Sequence, residues 1–138
     1  MLQFYFLSIV MNALAGYILI SGEDGKGPLV FKSGFSLSIK DETFKLVVGI
    51  ISALTGLMKV LSVVEGDVPI IGDLFPAAAG FLSGAILIFE YHRTRTTLKD
   101  SDSVEKIDRL LVANKKVIGM AALAAAALHF LFPSVLLL

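Results

Sequence analysis

The chain alternates between four long apolar runs and three charged connections, of which only the middle one is short. The runs cover residues 2–21, 44–64, 73–91 and 117–137. Each is long enough for a membrane-spanning helix, which needs about 20 mainly apolar residues. The first run lacks the basic segment that opens a secretory signal, so we expect a true span there. The pattern predicts an all-α integral membrane protein, a single domain over residues 1–138, with four transmembrane helices in a compact bundle.

Composition supports the membrane class and narrows the chemistry. Hydrophobic residues occupy 56% of the 138 positions, and the mean hydropathy is +0.83, which is too apolar for a soluble domain. Cysteine is absent, so the chain has no disulfides and no thiolate ligands. A net charge of zero gives no indication of a nucleic-acid partner. The expected partner is therefore the lipid bilayer, and no cofactor is expected.

The distribution of charge along the chain predicts the topology. Eleven of the twelve Lys and Arg residues fall in the first and third connections, whereas the middle connection carries only the acids Glu65, Asp67 and Asp73. Lys and Arg mark cytoplasmic loops. We therefore expect loops 22–45 and 92–116 in the cytoplasm and both termini outside. The expected location is the prokaryotic cytoplasmic membrane.

Lys59 is the one Lys or Arg residue that lies away from the ends of the apolar runs. It precedes the predicted outer end of the second span by roughly 7–8 Å, at a rise of about 1.5 Å per residue. Its stem can therefore snorkel to the outer interface, where Asp73 is the expected carboxylate partner. A functional site built around the lysine and burial against backbone carbonyls are the alternatives.

The two halves of the chain resemble each other. Residues 14–20 (LAGYILI) and 82–88 (LSGAILI) share five of seven identities, and residues 45–49 similarly resemble 115–119. The halves 1–65 and 69–138 would then be two parallel helical-hairpin repeats, an arrangement known from transporters. Chance similarity among apolar helices explains the same residues equally well.

The repeat brings four polar residues into one candidate intramembrane site. Lys59 and His129 follow equivalent lysines at the same spacing, so they would share one level of the bilayer, about 20 Å from its cytoplasmic boundary. Asn12 lies midway along the first span, and Asp73 begins the third. Ionisable groups at such depth usually face the bundle interior. With one histidine and no cysteine, the set is not expected to bind a metal.

Small residues predict where helices pack closely. Gly80 and Gly84 form a GxxxG pattern in the third span, and Ser52 with Gly56 gives a matching small face in the second. Such patterns let helix backbones approach each other in a membrane. They predict either a tight four-helix bundle or a homo-oligomer interface.

Two connections carry patterns of their own. In the first, Phe35, Leu37 and Ile39 alternate with polar residues, which predicts a short β-hairpin-like loop. In the third, residues 102–116 carry an apolar face at helical spacing, which predicts an interfacial amphipathic helix. The same connection begins with a cluster that is a candidate lipid-headgroup site, formed by Glu90, His92, Arg93 and Arg95.

No catalytic motif is present in the sequence. The leading expectation is a non-enzymatic scaffold or accessory subunit that associates with itself or with a larger membrane protein. A small transporter or channel built around Lys59 and His129 is the first alternative. A protein that binds or modifies lipid headgroups through the cluster at Glu90 is the second.

Overall fold

The structure, a computed structural model, describes residues 2–21, 41–61, 74–95, 105–106 and 108–132. Within these ranges all regular structure is helical, which confirms the predicted all-α class. The helices are α1 (Leu2–Ser21), α2 (Glu42–Leu61), α3 (Leu74–Arg95) and α4 (Lys115–Leu131), with a π-helical segment (Asp108–Val112) before α4. The predicted β-hairpin-like loop lies outside the described residues.

The helix ends show why two elements differ from their predicted bounds. α2 starts two residues earlier because Asp41 caps it: the backbone N–H of Thr43 donates to Asp41 Oδ1 (2.9 Å), and that of Lys45 donates to the Asp41 carbonyl (3.0 Å). α3 continues to Arg95, beyond its apolar run, and its last turns carry charged side chains. The polar end of the bundle therefore extends past the apolar core.

The interfacial amphipathic helix predicted over residues 102–116 is not one continuous helix. The N–H of Ala113 donates to the Asp108 carbonyl five residues earlier (3.2 Å), which is the hydrogen bond of a π-helical turn. Asn114 then leaves helical geometry with φ −101° and ψ 10°, and its side-chain amide donates to the Leu110 carbonyl (2.9 Å). Asn favours such local bonds over helix continuation, so α4 begins afresh at Lys115.

The four helices pack in two close pairs. α2 packs mainly against α3 and α1 mainly against α4, while α1 and α3 also meet across the middle of the bundle. Ile18 and Leu19 of α1 and Ile86 and Leu87 of α3 are almost completely buried between them. α4 contributes mainly alanines to the interior, which lets its backbone lie close to its neighbours.

All four residues predicted to pack helices lie in the contact between α2 and α3. A Cβ atom added at Gly84 would lie 2.5 Å from the Gly49 carbonyl oxygen and 2.6 Å from the Ala53 nitrogen, so only glycine fits. At Gly56 the added atom would lie 2.6 Å from the Ala77 carbonyl oxygen. Ser52 Oγ donates to the Gly80 carbonyl (3.0 Å) in the same contact. The small faces of α2 and α3 thus meet within one chain.

The contact between α1 and α4 repeats this geometry at equivalent positions. A Cβ atom at Gly16 would lie 2.6 Å from the Gly119 carbonyl oxygen and 3.0 Å from the Leu123 nitrogen. Gly16 aligns with Gly84, and Gly119 aligns with Gly49, in the sequence repeat. The close contact between Gly16 and Gly119 was not predicted from the sequence.

Burial follows the same correspondence along whole helices. In α2 and α4, a buried residue of one helix aligns with a buried residue of the other. Val48 is the exception, because it is buried whereas the aligned residue, Ile118, is half-buried. In α1 and α3 the match extends over seven positions. Those pairs are Ser8 with Pro76, Met11 with Ala79, Asn12 with Gly80, Ala15 with Ser83, Gly16 with Gly84, Ile18 with Ile86, and Leu19 with Leu87.

The outer surface of the described helices is strongly apolar. Phe6, Leu61 and Phe130 each expose about two thirds of their surface, and many other large apolar side chains are exposed beside them. Three helices are long and apolar enough to cross a membrane, over Gln3–Ser21, Glu42–Leu61 and Leu74–Arg95. α4 has 17 residues, and most of its predicted continuation to residue 137 lies outside the described residues.

Candidate functional site

Two basic side chains from separate helices meet inside the bundle. Lys59 lies in the last turn of α2 and His129 in the last turn of α4, and they expose only 6% and 1% of their surfaces. Lys59 Nζ lies 2.7 Å from His129 Nε2, which is hydrogen-bond distance. The lysine therefore points into the bundle at His129 and does not extend along the outer surface, as snorkelling would require.

The helical faces explain why Lys59 turns inward. Ser52, Thr55, Gly56 and Lys59 follow the spacing that places residues on one side of a helix, and all four are buried. In α4, Ala122, Ala125, Ala126 and His129 follow the same spacing and are also buried. Each basic residue thus ends the small-residue face with which its helix packs.

Tyr5 of α1 completes the cluster. Its hydroxyl donates to the backbone carbonyl of His129, and the rings of Tyr5 and His129 lie with their centroids 4.4 Å apart. Lys59 Nζ lies 5.4 Å from the centroid of the Tyr5 ring, within the range of a cation–π interaction. Tyr5 was not among the residues predicted from the sequence. The signal for it was the spacing of Tyr5, Ser8 and Asn12, which puts three polar residues on one face of α1.

The short contact between the two nitrogens limits the charge of the pair. A lysine ammonium can only donate, so beside it His129 Nε2 must be an unprotonated acceptor and the imidazole is neutral. If His129 is instead cationic, Nε2 donates and Lys59 must be a neutral amine. If both groups are neutral, either nitrogen can donate to the other. The hydrogen-bonded pair therefore carries at most one positive charge.

Asn12 forms a second polar level, deeper in the bundle. It is 1% exposed, and its Nδ2 donates to the Pro76 carbonyl at the start of α3 (2.9 Å) and lies 3.5 Å from Ser8 Oγ. Its Oδ1 has no hydrogen-bond partner among the described residues and lies 3.0 Å from the place a Cβ of Gly80 would occupy. Glycine at position 80 thus makes room for the amide.

The Gly80 carbonyl joins this level to the contact between α2 and α3. It accepts hydrogen bonds from Ser52 Oγ (3.0 Å) and from Ser83 Oγ (3.2 Å), and both serines are fully buried. Buried hydroxyls are stable only when they are bonded, and here a backbone oxygen serves both. The described interior is therefore polar at these two levels.

Of the four residues predicted to form the intramembrane site, two are in contact, one lies nearby and one is outside the described residues. Lys59 and His129 are in direct contact, and Asn12 lies on the same side of α1 as Tyr5 but at the next level. Asp73, the expected partner of Lys59, lies outside the described residues. Among the described residues, no three His, Asp or Glu side chains are grouped as metal ligands.

The candidate lipid-headgroup cluster lies at the opposite end of the bundle, where two of its members join other elements. Glu90 Oε1 accepts from Lys115 Nζ of α4 (2.9 Å), and Arg93 donates to Asp108 (2.6 Å). Arg95 stacks over the Tyr91 ring, 5.4 Å from its centroid, and His92 is exposed. Glu90 and Arg93 thus connect α3 to the chain that leads into α4.

Comparison with known proteins gives a family but no activity. A protein-family model for a family of unknown function matches residues 1–129. The chain belongs to this family. An uncharacterized protein of Treponema pallidum (strain Nichols) is 34% identical over 141 residues, which cover 100% of both chains. No solved structure matches the chain. For this family, function has to be argued from the site.

Proposed function

We propose that the protein is an integral membrane protein with four spans, and that it moves protons across the bilayer through the site formed by Lys59, His129 and Tyr5. Membrane insertion is supported by the three long apolar helices and by the large apolar side chains on the outer surface. The proposed topology has both termini outside and loops 22–45 and 92–116 in the cytoplasm. The site then lies in the outer half of the membrane.

We also propose that the chain is a duplicated helical hairpin with a pseudo-twofold axis along the membrane normal. The matched glycine contacts and the matched buried positions support this arrangement. Lys59 and His129 are equivalent positions of the two halves and touch each other, as residues do only close to such an axis. Asn12 and Gly80 are equivalent and adjacent in the same way. The polar residues would therefore line the axis, where transporters with parallel repeats hold their substrates.

The observation that carries the transport proposal is the buried contact between two bases. Two basic groups stabilise a fold poorly, because protonation of both replaces their hydrogen bond with repulsion. A serine or an asparagine could join α2 and α4 through neutral hydrogen bonds, without placing an ionisable group in the membrane. Ionisable residues inside membrane helices are expensive, and they usually serve proton or ion movement.

Proton flux into liposomes tests this function. Purified protein is reconstituted around a trapped pH-sensitive dye, the external medium is acidified, and potassium with valinomycin removes the membrane potential. We expect faster acidification than in empty liposomes, and a return to the empty-liposome rate with Lys59→Met or His129→Gln. Lys116→Met and His92→Gln are the matched controls, because both residues are exposed, and they should keep the wild-type rate. A wild-type rate equal to that of empty liposomes would contradict the proposal.

A scaffold role is the second candidate. It is favoured by the two close glycine contacts, which give a rigid bundle with an apolar surface for another membrane protein. The small faces of α2 and α3 are occupied within the chain, so self-association would have to use other surfaces. Stoichiometric recovery of one membrane protein with the tagged chain, unaffected by Lys59→Met, would favour this role.

Binding of lipid headgroups is a further candidate, and it would use His92 and Arg95, which are both exposed.

A further inference from the structure

We infer that a second proton converts the Lys59–His129 pair into a binding site for a small monovalent anion, so that a proton and an anion bind together. The inference rests on the proposed function and identifies what would move with the proton. It starts from the single contact of 2.7 Å between Lys59 Nζ and His129 Nε2.

The hydrogen bond between the nitrogens exists only while one of them lacks a proton. When a second proton arrives, a new N–H bond forms at the nitrogen that had been the acceptor, and the positive charge of the pair rises from one to two. Both nitrogens are then donors, neither can accept, and they must separate. The proton comes from hydronium in the acidified medium, which loses an O–H bond and leaves as water, and no electron is transferred.

The separated pair would present two charged donors to one point between α2 and α4. A small anion placed there would accept from both, and it would restore a net charge of one at a site that excludes water. Charge-assisted hydrogen bonds of this kind are about twice as strong as neutral ones.

The groups facing the pair are compatible with an anion. α1 contributes Tyr5, whose hydroxyl is occupied by the His129 carbonyl, and α3 carries no ionisable side chain between Leu74 and Phe89. The ionisable groups facing one another are thus Lys59 of α2, His129 of α4 and Tyr5 of α1, within the part of the chain that the structure describes.

Thermal stability in detergent tests the inference with chloride as the probe. Chloride is titrated against gluconate at constant ionic strength, at about pH 5 and about pH 8, which bracket the range where imidazoles ordinarily titrate. We expect chloride to raise the melting temperature at the acidic pH with an affinity at least about tenfold higher than at pH 8, because binding linked to one proton changes by up to tenfold per pH unit. Lys59→Met and His129→Gln should lose the effect, while Lys116→Met keeps it.

A wild-type protein with no chloride effect at the acidic pH, or with the same effect at both pH values, would overturn the inference. In case His129→Gln fails to fold, nitrogen NMR of labelled His92→Gln protein observes His129 alone, since the chain has two histidines. Its ring signals should shift with chloride at about pH 5, and unmoved signals would also overturn the inference. Chloride binding without proton flux would leave the anion site standing and refute the transport function.

Discussion

Gly84→Ala should destabilise the bundle even though it adds a single carbon atom. The new Cβ would lie 2.5 Å from the Gly49 carbonyl oxygen, whereas ordinary contact begins at 3.4 Å, so the helices must separate by the difference of about 0.9 Å. The opposing atoms belong to the backbone of α2, so no side chain can move aside. Separation also stretches the 3.0 Å hydrogen bond from Ser52 to the Gly80 carbonyl beyond its range.

These two effects set the expected magnitude. Overpacking in a close contact typically destabilises by about 1–3 kcal/mol, and an interhelical hydrogen bond in a membrane protein contributes about 0.6 kcal/mol on average. Together they predict a loss of about 2–4 kcal/mol for Gly84→Ala. Gly84→Leu, whose side chain is longer, should be worse and should separate α2 from α3.

Reversible unfolding in mixed micelles, followed by circular dichroism against the fraction of denaturing detergent, measures this loss. Ala78→Leu is the control, because Ala78 is exposed on the same helix, and its change should stay within about 0.5 kcal/mol. If Gly84→Ala unfolds with the wild-type free energy, α2 and α3 do not approach each other as closely as the structure shows.

Three further predictions concern other parts of the molecule. Asn12→Leu removes the donor to a buried carbonyl of α3 and should destabilise by about 1–3 kcal/mol in the same unfolding assay, whereas unchanged stability would mean that the amide is not bonded. In a double-mutant cycle, Glu90→Gln and Lys115→Met should show a coupling energy above the 0–1 kcal/mol that is typical of exposed ion pairs, because the side chains of Glu90 and Lys115 are only 23% and 13% exposed. If the two losses of stability are additive, the ion pair does not stabilise the bundle. Gly66→Cys should react with an impermeant maleimide in intact cells and Ser103→Cys only after permeabilisation, and the reverse pattern would invert the topology.

The sequence was sufficient for the long helices and for the small-residue faces of α2 and α3, but it left open whether these faces meet within one chain or between two copies. Long apolar runs predicted α1 and α3 because an apolar surface of that length has few alternatives to a helix, and the GxxxG residues marked where backbones meet. The start of α2 was predicted two residues too late, because Asp41, which has the side chain of an N-cap, was not taken into account. The π-helical segment was not predicted, because it depends on where the amide of Asn114 finds an acceptor.

The direction of Lys59 shows where sequence reasoning stopped. Lys59 lies on the same helical face as Ser52 and Gly56, so predicting that this face packs inward already implied an inward lysine. Its contact with His129 could not be predicted, because equal depth in the membrane does not fix the distance between two helices. That distance depends on how the Gly49–Gly84 and Gly16–Gly119 contacts arrange the bundle, which only the three-dimensional structure supplies.

Exchanging the two basic residues tests most directly whether the Lys59–His129 contact carries the function. If the positions are equivalent and act as one pair, the double variant Lys59→His with His129→Lys rebuilds the same contact with its members reversed. We expect the double variant to restore most of the proton flux in liposomes, while Lys59→His alone and His129→Lys alone remain strongly impaired. A folded double variant that is as inactive as either single variant would contradict a shared site on a pseudo-twofold axis.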